Sequence, residues 1–248
     1  MSAIYILWLR QLKRYSRSRA RLIGSLGQPL LFLVALGFGF GPIYQKAGEG
    51  NYLQFIGPGI IAMSITFMAI FSGIEIIWDR QFGFLRETFV APVSRFKIMF
   101  GRTLGGATVA VIQGLLVFLI TILIGFRLTN LHLLLPAFLF MLLIAFFFTA
   151  LGTAIASLMK DMQAFPVIMN FLVMPMFFLS GAIFPLKGLP EAIVIATRIN
   201  PLSYGVDGLR ATLTNQAFFG LGLDFLVLII ADLALLAIGS YLFSKIEL

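Results

Sequence analysis

Few side chains in this sequence could do chemistry. Asp232 is the most deeply placed acid, set in the apolar run DFLVLIIADLALLAIG. An isolated charge near a membrane midplane is costly, so two readings stand. Either the acid is protonated or hydrogen-bonded to a neighbouring helix, with Asn170 and Gln113 as candidate partners, or it relays protons. Alone it cannot run hydrolysis, which needs a nucleophile paired with a base. His132 is the only histidine and cysteine is absent, so no three ligands stand at metal spacing and no disulfide frame exists. No G-x-x-x-x-G-K-[ST] loop occurs; Gly101-Arg102-Thr103 comes nearest and lacks both the lysine and the glycine spacing. The chain is therefore read as a non-enzyme with no cofactor of its own, and any ATP and Mg must sit on another chain.

The elements that hold these groups follow from composition. Sixty per cent of the 248 residues are hydrophobic, 11% are charged and the mean hydropathy is +1.02, which fits a polytopic membrane protein. A membrane-crossing helix needs about 20 mainly apolar residues. Six such runs are expected, at about 22–40, 56–77, 103–125, 134–158, 165–184 and 222–243. They do not alternate apolar and polar residues, as barrel strands would, so the fold class is an all-α membrane protein in one transmembrane domain over 1–248. Thirteen of the 18 basic residues fall on one side: six in 10–21, then Arg80, Arg86, Arg95, Lys97, Arg102, Lys160 and Lys245. Lys46, Arg127, Lys187, Arg198 and Arg210 fall on the other. The positive-inside rule then places both termini in the cytoplasm, with the chain multi-pass in the plasma membrane. The net charge of +8 reads as topology and attraction to anionic lipid, not nucleic-acid binding.

Two cytoplasmic segments carry more than topology. In residues 1–21, Ile4, Leu7, Trp8, Leu12 and Tyr15 share one helical face, and Arg10, Lys13, Arg14, Arg17 and Arg21 gather on another. Such an amphipathic helix either anchors at the headgroup level or walls a cytoplasmic docking site. In WDRQFGFLRETFVAPVSRFKIMFGR, from Trp78 to Arg102, the spacing of Phe82, Leu85 and Phe89 predicts one apolar edge of a short helix. Pro92 ends it and Ser94 caps the next. Glu75, one turn before Asp79, belongs with the docking electrostatics.

This stretch resembles the cytoplasmic signature of ABC-2 type permeases, in which an Arg/Glu-x-Gly-x-Leu core precedes a helix-ending proline and a Ser-Arg pair. The matching positions are Arg80, Gly83, Leu85, Glu87, Pro92, Ser94 and Arg95. NPLSYGVDGLR, from Asn200, is similar to a segment that family carries between its fifth and sixth spans. The resemblance is strongest to the small drug- and lipid-exporting permeases of the daunorubicin-resistance and nodulation-factor branch. It implies a membrane subunit of an ATP-binding-cassette exporter for a drug, glycolipid or polysaccharide, paired with a second permease copy or paralogue and docked on a separate ATPase subunit. Arg80, Gly83, Leu85, Arg86, Glu87, Pro92 and Arg95 would then form the ATPase-coupling helix. Gln81 and Arg86 stand where the family often carries acids, and Glu87 could take the acidic role. The alternative is a proton-coupled secondary transporter using Asp232.

The fifth run contains Asn170 and Pro175 among methionines and aromatics, and Asn170, Met174, Phe177 and Phe178 are the candidate substrate-pathway residues. Between the fifth and sixth runs, Pro190 and the Asn200-Pro201 pair predict two short helices, an amphipathic hairpin in the outer leaflet.

Overall fold

The computed structural model describes residues 2–48, 50–186 and 188–246, and no strand occurs among them. Lys187 and the side chains of Arg19 and Arg21 lie outside the described set. The helices are α1 (Ala3–Arg17), α2 (Arg19–Lys46), α3 (Tyr52–Phe71), α4 (Ile74–Gln81), α5 (Phe84–Val90) and α6 (Arg95–Ile124). After a 3-10 turn (Leu131–Leu133) come α7 (Leu134–Leu158), α8 (Ala164–Phe178), α9 (Glu191–Ile199), α10 (Pro201–Thr214) and α11 (Leu221–Ser244).

Five stretches among the described residues are long and apolar enough to cross a membrane: Ile23–Lys46, Tyr52–Gln81, Arg95–Ile124, Leu131–Leu158 and Leu221–Ser244. They match five of the six expected runs. The sixth, at 165–184, holds the 15-residue α8, about 22 Å long against a hydrocarbon core of about 30 Å. The helix stops early because the Leu179 N–H closes the last turn on Pro175 and Gly181 then takes φ +76.

The centre of the bundle is α3, buried on nearly every face and contacting α2, α6, α7, α8 and α10. Small residues make this approach possible, as they commonly do where apolar helices meet without water to drive them together. The backbone of Gly152 on α7 lies directly against Ile70 and Gly73. At Gly59 a Cβ would stand 2.5 Å from the Ala182 carbonyl oxygen.

The structure decides the packing of α1 and departs from expectation at α10. In α1 the buried residues are Leu7, Gln11 and Tyr15, and the helix packs along the first half of α6. Gly101 receives Ile4 and Leu7, and Gly105 receives Trp8 and Gln11. Trp8 Nε1–H donates to Thr108 Oγ1 at 3.0 Å, and the Tyr15 hydroxyl to Gln113 Oε1 at 2.8 Å. The apolar face is therefore spent on protein rather than lipid. In α10, every residue from Leu202 to Leu213 is buried. The expected surface helix is instead packed among α3, α7 and α11, with Gly205 flush against Ile144 and Gly208 against the Phe140 ring. The Asn200-Pro201 break does form. Asn200 caps α10 by accepting from the Leu202 N–H at 3.1 Å, and its amide donates to the Met176 carbonyl of α8 at 2.6 Å.

Candidate functional site

At one end of the bundle α3 bends through Ser72-Gly73 into α4, and Gly83, at φ +79 and ψ −10, reverses the chain into α5. The reversal divides the expected apolar edge. Leu85 is fully buried and the Phe89 ring stands edge-on to Phe243 of α11, centroids 5.6 Å apart. Phe82 falls before the break, as the C-cap of α4, and is 79% exposed. After Val90 the backbone extends through Ala91 to Pro92, and Ser94 Oγ accepts from the Lys97 N–H at 3.4 Å to start α6, as the sequence predicts. Arg86, Glu87 and Val90 all face outward, while Arg80 is half-buried. Arg95 is engaged from within: its guanidinium lies 4.5 Å over the Phe89 ring and donates to the carbonyls of Ser244 and Ile246 at the end of α11.

Beneath this elbow lies an ion-pair cluster. Asp79 accepts from both terminal nitrogens of Arg10, at 2.9 and 2.8 Å, and from Arg102 at 2.5 Å. The Arg10 guanidinium also sits 3.7 Å over the Phe84 ring. One turn earlier, Arg14 stands 3.7 Å from the buried Glu75 and over Trp78. Paired, bidentate charges of this kind are how such groups are kept inside a fold. The cluster joins α1, α4 and α6 to the base of α5. Sequence reasoning grouped Glu75 with the docking charges but gave no signal for the Arg10–Asp79–Arg102 pairing, whose members are 69 and 23 residues apart. Between α1 and the elbow opens a groove of about 790 Å³, lined by Tyr5, Ile6, Lys13, Arg17, Trp78 and Phe82 among others.

A second cavity, of about 310 Å³, lies between α2 and α3, with Ser25, Gln28 and Ser64 among apolar walls. Phe71 closes it on the side of α8, where its ring meets Phe165 edge-on. The candidate pathway residues divide on α8. Asn170 and Phe178 lie on the exposed face with Phe171, and Met174 is half-buried. Phe177 is 1% exposed, in the core. Asp232 is buried, and neither expected partner reaches it: Gln113 is engaged by Tyr15, and Asn170 faces outward.

Far from the elbow, Arg210 is held inside α10. It donates to the carbonyls of Gly181 at 2.8 Å and Phe55 at 3.3 Å, and stacks 4.0 Å over the Phe55 ring. Burial lowers its pKa to about 10, which leaves it charged at neutral pH. Asp207, one turn earlier, accepts from the N–H groups of Phe218 and Phe219 and ties down the turn into α11.

Known proteins align with this arrangement along its length. The transport permease ycf38 of Cyanophora paradoxa is 30% identical over 98% of this chain and 88% of its own. Nodulation protein J of Rhizobium leguminosarum bv. trifolii is 29% identical over 83% of this chain and 76% of its own, and that of Rhizobium meliloti (strain 1021) is 27% identical over 88% and 83%. The model of the ABC-2 type transporter family matches residues 2–214, a stretch that contains the elbow, the ion-pair cluster and α10. The chain belongs to the ABC-2 type transporter family and is a membrane subunit of a transporter.

Proposed function

We propose that this chain is the permease of an ATP-binding-cassette exporter, with both termini cytoplasmic and six passes through the plasma membrane. In this reading the short α8, with the turn that follows it, makes the fifth pass. The observation that carries the reading is the elbow: α5 presents Arg86, Glu87 and Val90 outward, while Leu85, Phe89 and Arg95 bind it to α6 and α11 from behind. A short helix held from below and bare above is suited to receive a partner's motion and pass it to the spans. The partner is an ATPase subunit that binds ATP and Mg, and its movement would tilt α5 together with the ends of α4 and α6. Arg80 and Gly83 shape the elbow, and Pro92 ends it.

Two permeases would pair, since α2 and α8 leave broad apolar faces uncovered. The path would run between copies of α2, α3 and α8, along the 310 Å³ cavity and past Asn170, Met174 and Phe178, with Phe177 bracing them from the core. Its walls are apolar with a few hydroxyl and amide groups, which suits an amphipathic or lipid-linked substrate. The resemblance to the drug- and lipid-exporting branch makes a drug, glycolipid or polysaccharide the cargo class of this reading.

The test is a pull-down from native membranes in mild detergent, comparing the wild type with a Glu87→Lys, Val90→Asp double variant. Both residues are exposed, so the fold is expected to survive. Recovery of an ATP-hydrolysing subunit by the wild type alone supports the reading. A folded wild type that captures no ATPase sinks it.

A further inference from the structure

Four cations line the groove between α1 and the elbow, and they are not equivalent. Arg10 has given both terminal nitrogens to Asp79. Arg14 stands against Glu75 and over Trp78. Lys13 and Arg17 are exposed, and their side chains make no ion pair or hydrogen bond among the described residues. They are four residues apart on one helix, so their head groups stand one above the other on the same face and can close on a single anion from two sides. Because Asp79 and Glu75 are already neutralised, the groove carries an excess of positive charge.

The rest of the lining is apolar: Tyr5, Ile6, Leu9, Trp78, Phe82 and Phe84. Tyr5 and Trp78 are amphipathic rings of the kind found at the water–hydrocarbon boundary, and Ile6, Trp78 and Phe82 are 54%, 38% and 79% exposed. The groove opens toward one end of the candidate spans. Gln81 at the end of α4 bonds the Lys160 carbonyl just past α7, so two helix ends are level there, and Asp79 bonds Arg102 two turns into α6. A cationic clamp beside bare aromatic rings, toward the end of the candidate spans, is complementary to an anionic amphiphile. A fully water-borne acidic peptide would leave those rings uncovered.

We propose that this groove binds one anionic phospholipid, its phosphate between Lys13 and Arg17 and its acyl chains leaving over Ile6, Trp78 and Phe82. Placing that lipid in the inner leaflet rests on the cytoplasmic orientation proposed above; the binding itself does not. The lipid would join α1 to the elbow and so set how freely α5 moves.

The experiment is native mass spectrometry of the detergent-purified protein, titrated with phosphatidylglycerol, with diacylglycerol and with inorganic phosphate. A Lys13→Ala, Arg17→Ala variant is compared with a Lys46→Ala, Arg127→Ala variant, which removes two exposed cations from the opposite side. Melting temperatures confirm that each is folded. One tight phosphatidylglycerol adduct on the wild type and the control, weakened at least tenfold in the groove variant, is the expected result. Diacylglycerol and phosphate alone should bind weakly. Equal adducts on both variants, or diacylglycerol binding as well as phosphatidylglycerol, overturns the site. So does loss of ATPase capture by the groove variant with lipid binding unchanged, which would make the groove a protein-docking surface. Because lipid adducts and ATPase capture are scored separately, failure of the lipid site leaves the permease reading standing, and the reverse.

Discussion

Arg10 grips Asp79 with two parallel hydrogen bonds, of 2.9 and 2.8 Å, and so pins the first helix to the base of the elbow. Arg102, 3% exposed, bonds the same carboxylate from the other side, and Asp79 is its only bonded partner among the described residues.

Asp79→Asn is expected to destabilise the protein by about 3–5 kcal/mol, since it leaves a buried guanidinium without its counter-charge. Thermal melting in detergent reads the loss. Arg10→Lys should lower the melting temperature less, because it keeps the charge but gives up the bidentate geometry. Equal melting of Asp79→Asn and wild type would show the cluster to be ornamental.

Gly152→Val should be damaging wherever stability is read, because a side chain there meets the Ile70 backbone rather than a movable side chain. Overpacking of this kind costs about 1–3 kcal/mol or more. Gly39→Val is the matched control, with nothing within 4 Å of the added Cβ. Size-exclusion profiles should show aggregation for the first and a single peak for the second.

Arg210→Met would strip the Gly181 carbonyl of its donor, at about 1–3 kcal/mol. The gap in melting temperature between variant and wild type should stay constant from pH 6 to 9. Burial lowers the Arg210 pKa to about 10, so the folded chain holds this proton throughout that window. Only above about pH 10 does the unfolded chain bind more protons than the folded one, and there stability gains with rising pH. A gap that changes near neutrality would mean that another group is titrating.

Asp232→Asn keeps the shape of the side chain and removes its acid. If the power comes from an ATPase partner, export should persist and the melting temperature should hold or rise, since the buried Oδ1 of Asp232 accepts no hydrogen bond among the described residues. Loss of export with an intact fold would move the case to a proton-driven carrier.

What the sequence disclosed follows from the range of each force. Five long helices were legible because apolar length is a local property, and the Ser94 cap and the Asn200-Pro201 break because capping and proline act within three residues. Gln11 in the α1 seam was not legible, since a glutamine carries no apolar signal and the gap it fills belongs to Gly105 of another helix. The same holds for α10. Read singly, Arg210 and Asp207 look like a polar face, and only the carbonyls of Phe55 and Gly181 and the N–H groups of Phe218 and Phe219 make them interior. Gly83 was recognised as a motif residue, but its left-handed φ, which separates Phe82 from Leu85, is a backbone choice that spacing alone does not reveal.

Arg95 ties the carbonyls of Ser244 and Ile246 to the start of α6, and Phe243 rests against Phe89 of α5. Ile246 therefore lies alongside the helix whose outward face carries Glu87 and Val90. A fluorescent protein or affinity tag fused at that point would compete for the same space as an arriving subunit, and a reporter carried on the connection between α6 and α7 would leave it clear.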